Sequence, residues 1–394
     1  MTLEVQVLGA DRVRTAWEVL GTAFSAPPRV EDEQTEMGVV DPQRFYAAVD
    51  GSDVVGTCGS FDLAMTVPGG VRPVAGVTWV AVLPTHRRRG VLRRLMRRQL
   101  DDLHEAGTAV AALWATQGAI YQRFGYGPGA WRYDVEVPAG AAFVGPAPDA
   151  PVRLVPPTAE ALSGVYAQVC AARPGWYTRD DAWWAFRLHD PDEQRGGAGP
   201  LRCVVTDGGY ALYSATVHGS ERGLTGSVQV REVAATTESA HARLWRFLLD
   251  VDLVETVTGR VALDDPLLLS LLAEPRAAVG RLGDTLWVRL VDVASALAQR
   301  TYATPVEVVL EVADEVCPWN AGRFRLSGDR AGATCTPTGD AAELRVTAAD
   351  LAAAYLGGTP LARRQVVELR PGTLDVVSTA FGPVGRAPSC PLVF

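Results

Sequence analysis

Val80-Ala81-Val82-Leu83-Pro84-Thr85-His86-Arg87-Arg88-Arg89-Gly90-Val91-Leu92-Arg93 decides how the rest of the chain is read. Residues 74–82 (VAGVTWVAV) are nearly apolar on both faces, which predicts a central strand. Pro84 ends it. A helix is predicted over residues 90–105, because Leu92, Leu95, Met96, Leu100 and Leu103 repeat at helical spacing. The tight basic loop between them points backbone N–H groups at one spot, where the helix dipole also favours an anion. Gly90 has no Cβ, so a pyrophosphate can approach the backbone closely, and three successive arginines add charge-assisted donors. The arginines alone also fit a plain surface run at a helix start; the strand–loop–helix context argues against that reading.

The next buried strand, residues 109–115 (AVAALWA), runs into Thr116-Gln117-Gly118-Ala119-Ile120-Tyr121-Gln122-Arg123-Phe124-Gly125-Tyr126-Gly127-Pro128. A tyrosine one turn before an aromatic-glycine-aromatic step brings its hydroxyl beside a ligand held by the first loop, and such a hydroxyl can protonate a leaving thiolate. Taken alone, Tyr121 and Tyr126 also read as packing residues.

Outward from these motifs, residues 1–137 alternate helix and strand patterns. Trp17, Leu20 and Phe24 share a helical face, and residues 45–54 read as a hairpin around Asp50-Gly51-Ser52-Asp53. A Pro/Gly/Ala-rich stretch at 138–151 reads as a linker. The following segment repeats the first one's order, including a helix at 239–250, and points to a duplication. It carries Val230-Arg231-Glu232-Val233-Ala234-Ala235-Thr236-Thr237 where the first copy has its Arg loop, so no phosphate site is expected there. From residue 289 strands precede a helix at 350–356, which suits a small α+β domain. The expected divisions are therefore 1–138, 151–288 and 289–394, in keeping with two to three domains at roughly 100–200 residues each.

The chain has 394 residues, 48% of them apolar, with 37 basic residues against 45 acidic ones, a net charge of −8. This balance argues against a nucleic-acid partner. Every basic residue is arginine, which excludes a lysine nucleophile or Schiff base. Six scattered cysteines and five dispersed histidines show no zinc spacing, so no metal is expected and the cysteines read as reduced, buried thiols of a cytoplasmic protein. No signal peptide and no membrane-spanning run is read from the sequence.

The stretches at 80–93 and 116–128 resemble motifs A and B of the GCN5-related N-acetyltransferases (GNATs). Arg87-x-x-Gly90-x-Leu92 is similar to their pyrophosphate loop, with Leu92 in place of the usual small residue. The longer strings, the three-part layout and the phenylalanine at the end resemble the Eis (enhanced intracellular survival) acetyltransferases of actinobacteria. That resemblance implies an α/β (α+β) architecture: tandem GNAT folds, each a mixed central sheet flanked by helices, then a sterol-carrier-protein-like α+β domain. It implies acetyl-CoA as cosubstrate, a small-molecule amine acceptor and a homo-hexamer. Val80, Ala81 and Val82 would bond the pantetheine amide by strand addition. Arg88, Arg89, Gly90, Val91, Leu92 and Arg93 would hold the pyrophosphate, and Thr116 and Gln117 would border the cofactor. Tyr121 would be the general acid and the carboxylate of Phe394 the general base.

For the acceptor, Glu31, Asp32, Glu33 and Glu36 read either as an acidic wall for a polycation such as an aminoglycoside or polyamine, or as a solvated loop. Val393 and Ala26 stand where aminoglycoside-active relatives tend to have acidic residues, which argues against an aminoglycoside pocket. Trp176, Trp183 and Trp184 read either as the lining of a pocket for a more apolar or aromatic amine or as core, with core favoured. The competing function is a CoA- or lipid-binding module without catalysis.

Overall fold

The computed structural model describes residues 3–26, 35–220 and 223–394. The chain divides into two compact units, Met1–Ala130 with Thr285–Phe394, and Trp131–Asp284.

The first sheet contains β1 (Leu3–Val7), β2 (Phe45–Asp50), β3 (Asp53–Val67), β4 (Gly70–Val82), β5 (Val110–Trp114) and β6 (Gly127–Pro128). The second contains β7 (Trp131–Pro138), β8 (Arg153–Val155), β9 (Arg202–Thr206), β10 (Gly209–Ser220), β11 (Gly223–Ala235), β12 (Thr256–Ala262) and β13 (Val279–Asp284). A further strand, β14 (Leu286–Leu290), returns to the first sheet. The sheet orders are β1-β2-β3-β4-β5-β14-β6 and β8-β9-β10-β11-β12-β7-β13. Position by position the two are the same, with the single parallel pair at β4–β5 and at β11–β12. The duplication expected from the sequence is therefore visible in topology. It has a twist: β7 and β14 are exchanged, each filling the sixth place in the other repeat's sheet. This corrects the expected boundaries at 138 and 288. It also corrects the linker at 138–151, part of which lies on the second unit through a bridge between Phe143 and Leu272 and a bond from the Gly140 N–H to the Leu249 carbonyl.

Helices pack on the first sheet: α1 (Val13–Phe24), α2 (Val91–Glu105) and the short α3 (Gly118–Gln122). Leu95, Met96 and Leu100 of α2 are fully buried, as the periodicity requires. The β4–β5 pairing lasts only through Ala75–Ala111 and Gly76–Ala112. Beyond it β4 runs on to Val82, leaving the β5-facing edge of residues 77–82 without a strand partner among the described residues. A bulge sits there too: the β3–β4 register shifts between Thr57 and Gly59, and Trp79 takes φ +52°. For a bulky residue that left-handed conformation costs about 1–2 kcal/mol.

The second unit adds α4 (Ala159–Ala172), α5 (Asp181–Leu188) and α6 (Glu238–Leu249). Trp176, Trp183 and Trp184 are buried core, as expected. Beside them Glu232, 2% exposed, accepts two bonds from Arg179 (3.1 and 2.7 Å), one from Arg187 (3.2 Å) and one from the Tyr210 hydroxyl (2.6 Å). Burial alone would raise the Glu232 carboxyl, but Arg179 and Arg187 outweigh it and hold the group at about 2. A carboxyl depressed on folding contributes stability that is full above its ordinary value of 4.5 and is lost as pH falls toward about 2. The amount at neutral pH is roughly 3 kcal/mol. Glu232→Gln is expected to lower the urea midpoint of this unit at neutral pH and to flatten its decline in acid. An unchanged acid profile would show that the network is not a source of this dependence.

The third sheet, ordered β17-β16-β15-β18-β19, comprises β15 (Val306–Ala313), β16 (Gly322–Gly328), β17 (Ala333–Pro337), β18 (Leu344–Thr347) and β19 (Val367–Glu368). With α7 (Val293–Ala298), α8 (Ala348–Ala354) and α9 (Thr373–Ala380) it forms the expected α+β domain. Buried Arg300 donates to the carbonyls of Ala354, Tyr355 and Phe381, so one guanidinium satisfies the ends of α8 and α9. This domain packs on the first sheet backbone to backbone. A Cβ at Gly127 would lie 2.2 Å from the Ala349 carbonyl oxygen, and the Thr359 hydroxyl donates to the Pro128 carbonyl (2.7 Å).

Candidate active site

A cavity of about 1280 Å³ opens where β4 and β5 diverge. Its walls include Val80, Ala81, Val82, Arg88, Gly90, Val91, Leu92, Arg93, Thr116, Gln117 and Tyr121. Eleven of the thirteen residues singled out from sequence thus meet in one place.

Two do not line it. Arg89 turns away and its Nη1 lies 4.0 Å from the Asp50 carboxylate. The backbone gives the reason: Arg88 (φ +64°) and Gly90 (φ +80°) are left-handed, so the loop reverses and successive arginines diverge. Asp50 also lies 3.5 Å from the His86 ring, whose Nδ1 is 2.8 Å from the Thr85 hydroxyl. Phe394 does not line it either. It is 9% exposed and its ring covers Gly76, where a Cβ would come within 3.1 Å of Phe394 Cε2. Beside it Val393 is 44% exposed.

The anion-binding character of the loop has a structural basis. Gly90 caps α2 without a side-chain hydrogen bond, so no cap side chain occupies the helix's first N–H groups. At the matching place in the second repeat the Thr237 side chain accepts from the Ala240 N–H (3.1 Å). That helix end is closed, in line with the missing Arg loop.

Tyr121 and Tyr126 separate clearly. Tyr126 is fully buried, with no hydrogen-bond partner for its hydroxyl. Tyr121 reaches the cavity from α3, which seats closely because Gly118 has no Cβ to strike Trp287. Burial pushes the Tyr121 hydroxyl up to about 12, helped by Cys58 and opposed by a hydrogen bond with the Thr116 side chain.

Other walls lie outside those thirteen, although Arg87 opens the loop motif itself. Arg87, Arg97 and Arg123 add guanidiniums, and Ala23, Phe24 and Ser25 supply the end of α1. Phe24, the last residue of α1, is 49% exposed. Glu315 and Val316 come from the third domain, a placement no local signal announces. The neighbouring Asp314 accepts from Arg289 Nη2 (2.6 Å), Asn320 Nδ2 (3.1 Å), and the Val316 and Cys317 N–H groups (3.1 and 3.0 Å). Of the acidic run, Glu31, Asp32 and Glu33 lie outside the described residues. Glu36 is held by two indoles: Trp17 Nε1 donates to Oε2 and Trp79 Nε1 to Oε1, both at 3.1 Å. All six cysteines are buried thiols. Among the described residues, no cluster of histidine, cysteine and carboxylate could hold a metal, and no helix is long and apolar enough to cross a membrane.

A strand pair splayed beside a glycine-capped helix start, with a tyrosine across the opening, defines the GNAT class of acetyltransferases. The acetyltransferase (GNAT) domain families match residues 4–129 and 175–290, and the sterol carrier protein domain family matches 293–391. An uncharacterized N-acetyltransferase of Streptomyces avermitilis is 41% identical over 97% of both chains. The N-acetyltransferase Eis of Mycobacterium tuberculosis is 36% identical over 78% of this chain and 77% of its own. The crystal structure of Eis1 from Mycobacterium abscessus superposes with a TM-score of 0.85 at 30% identity, covering 100% of each chain. A GCN5-related N-acetyltransferase from Anabaena variabilis shares the fold at 20% identity and TM-score 0.85, again over 100% of each chain. The chain belongs to the Eis family of GCN5-related N-acetyltransferases.

Proposed function

We propose that the cavity binds acetyl-CoA and that the enzyme transfers its acetyl group to a primary amine of a small molecule by direct attack. The observation that carries this reading is the convergence of the open α2 start, Arg88, Arg93, the unpaired β4 edge and Tyr121 on one cavity. Acetyl-CoA supplies an activated thioester. The residues at 80–82 offer unpaired backbone groups to its pantetheine arm, and backbone donors near Val82 polarise the thioester carbonyl. The loop's N–H groups, Arg88 and Arg93 take the pyrophosphate. As the N–C bond forms and the C–S bond breaks, the amine proton passes to the carboxylate of Phe394 and Tyr121 protonates the departing thiolate.

The test begins with calorimetric titration of acetyl-CoA. Arg88→Ala is expected to weaken binding roughly 10- to 100-fold, the loss of one or two charge-assisted bonds. Arg89→Ala, whose side chain faces Asp50, should stay within about twofold. Thiol release over an amine panel then reads transfer. Binding without release to any amine would favour a carrier over an enzyme of this reaction, and equal losses in the two variants would refute the assignment of the loop.

A further inference from the structure

Acetyl-CoA carries two centres of negative charge. One is the pyrophosphate, which suits the helix start at Gly90. The other is the phosphate on the ribose 3′ oxygen, and the residues named so far make no provision for it. The cavity wall holds more cations than the pyrophosphate uses. Five guanidiniums line it, and Glu315 is the one carboxylate among the described lining residues. Arg88 and Arg93 take the pyrophosphate, and Arg87 Nη2 donates to the Ala23 carbonyl at the end of α1 (3.3 Å). Arg97 and Arg123 remain. Arg97 follows Arg93 by four residues on α2, so it stands on the same face about 6 Å further from the helix start. The ribose 3′ phosphorus is about six bonds from the pyrophosphate, a reach of the same order as one helical turn. Arg123 comes from a second wall. It closes α3, whose Ile120, Tyr121 and Phe124 share one apolar cluster with Leu92 and Met96 of α2. Each side chain is anchored at its Nε, Arg97 on the Asp101 carboxylate (3.3 Å) and Arg123 on the Ile120 carbonyl (3.4 Å). Among the described residues neither one places its Nη groups in a protein hydrogen bond.

We propose that Arg97 and Arg123 together clamp the ribose 3′-phosphate and so make the enzyme prefer CoA thioesters to their 3′-dephospho forms. They are specificity-determining residues for the donor, not for the acceptor. Two guanidinium forks from two helices match a phosphate dianion in charge and in acceptor oxygens, and a bare 3′ hydroxyl offers neither. The Arg97 side chain is 47% exposed, so added salt should screen the clamp. This inference rests on the acetyl-CoA reading above.

The experiment titrates CoA and 3′-dephospho-CoA by calorimetry into the wild type, Arg97→Ala, Arg123→Ala and the double variant, at low and at high salt. The wild type is expected to bind CoA roughly tenfold more tightly at low salt. Each single variant should lose about threefold for CoA, and the double variant should bind the two ligands alike. Every variant should keep its affinity for 3′-dephospho-CoA within about twofold, which also shows that the cavity is still folded. Salt should narrow the preference of the wild type and leave the ratio of the double variant unchanged. Equal affinity of the wild type for both ligands overturns the proposal. So does a preference that survives in the double variant, or a loss of the same factor for both ligands. Absence of binding of either ligand to the wild type overturns the acetyl-CoA reading itself, a different outcome from binding without preference.

Discussion

Tyr121→Phe is expected to lower kcat by about 10²- to 10⁴-fold, with acetyl-CoA binding by calorimetry within about threefold of wild type. Tyr121 lines the cavity and its ring packs against Tyr126 with centroids 6.0 Å apart, so removing one oxygen leaves the wall in place. The loss falls on the step in which charge leaves on sulfur, because only there does the proton matter. Burial pushes this hydroxyl up to about 12, so it remains protonated throughout the working range of an enzyme. The sign of the pH dependence follows. Turnover should rise with pH as the acceptor amine loses its proton, with no fall from Tyr121 below about pH 10. A variant with wild-type kcat removes Tyr121 from the chemistry, and an alkaline fall near neutrality transfers the role of acid to another group.

Asp314→Ala is expected to destabilise the protein by about 3–5 kcal/mol, seen as a lowered urea midpoint. Asp314 is the carboxylate paired with Arg289, and their side chains are 2% and 0% exposed. Its removal leaves a buried guanidinium without its counter-charge and strips three further donors of their acceptor. The same loop sets Glu315 and Val316 into the cavity wall, so acetyl-CoA affinity should fall along with stability. Asp314→Asn retains one acceptor oxygen and should fall between. Full stability in the alanine variant would mean that Arg289 finds another partner.

Most of the cavity wall was legible in the sequence because it is built locally. Loop, helix start and tyrosine lie within two short stretches, and their residue types follow from phosphate and proton-transfer geometry. Arg89 was misread since the direction of each side chain in a run depends on left-handed φ values that the run does not reveal. Glu315 and Val316 could not be foreseen because they arrive through the Asp314–Arg289 pair, a contact between distant segments. The exchange of β7 and β14 was hidden for a related reason: each strand has the alternation of its own kind, and alternation does not say which sheet will take it. Trp79 looked like any apolar residue of a central strand, and only the bulge discloses which face it serves.

Every cation that lines the cavity by a long side chain, from Arg87 to Arg123, is a guanidinium. An alkylammonium there would present a nucleophile to the very reagent the pocket concentrates, and the walls would modify themselves in time. Guanidinium groups stay charged and unreactive under the same exposure. Incubation with a large excess of the thioester should therefore leave the side chains around the pocket unlabelled in intact-mass and peptide spectra.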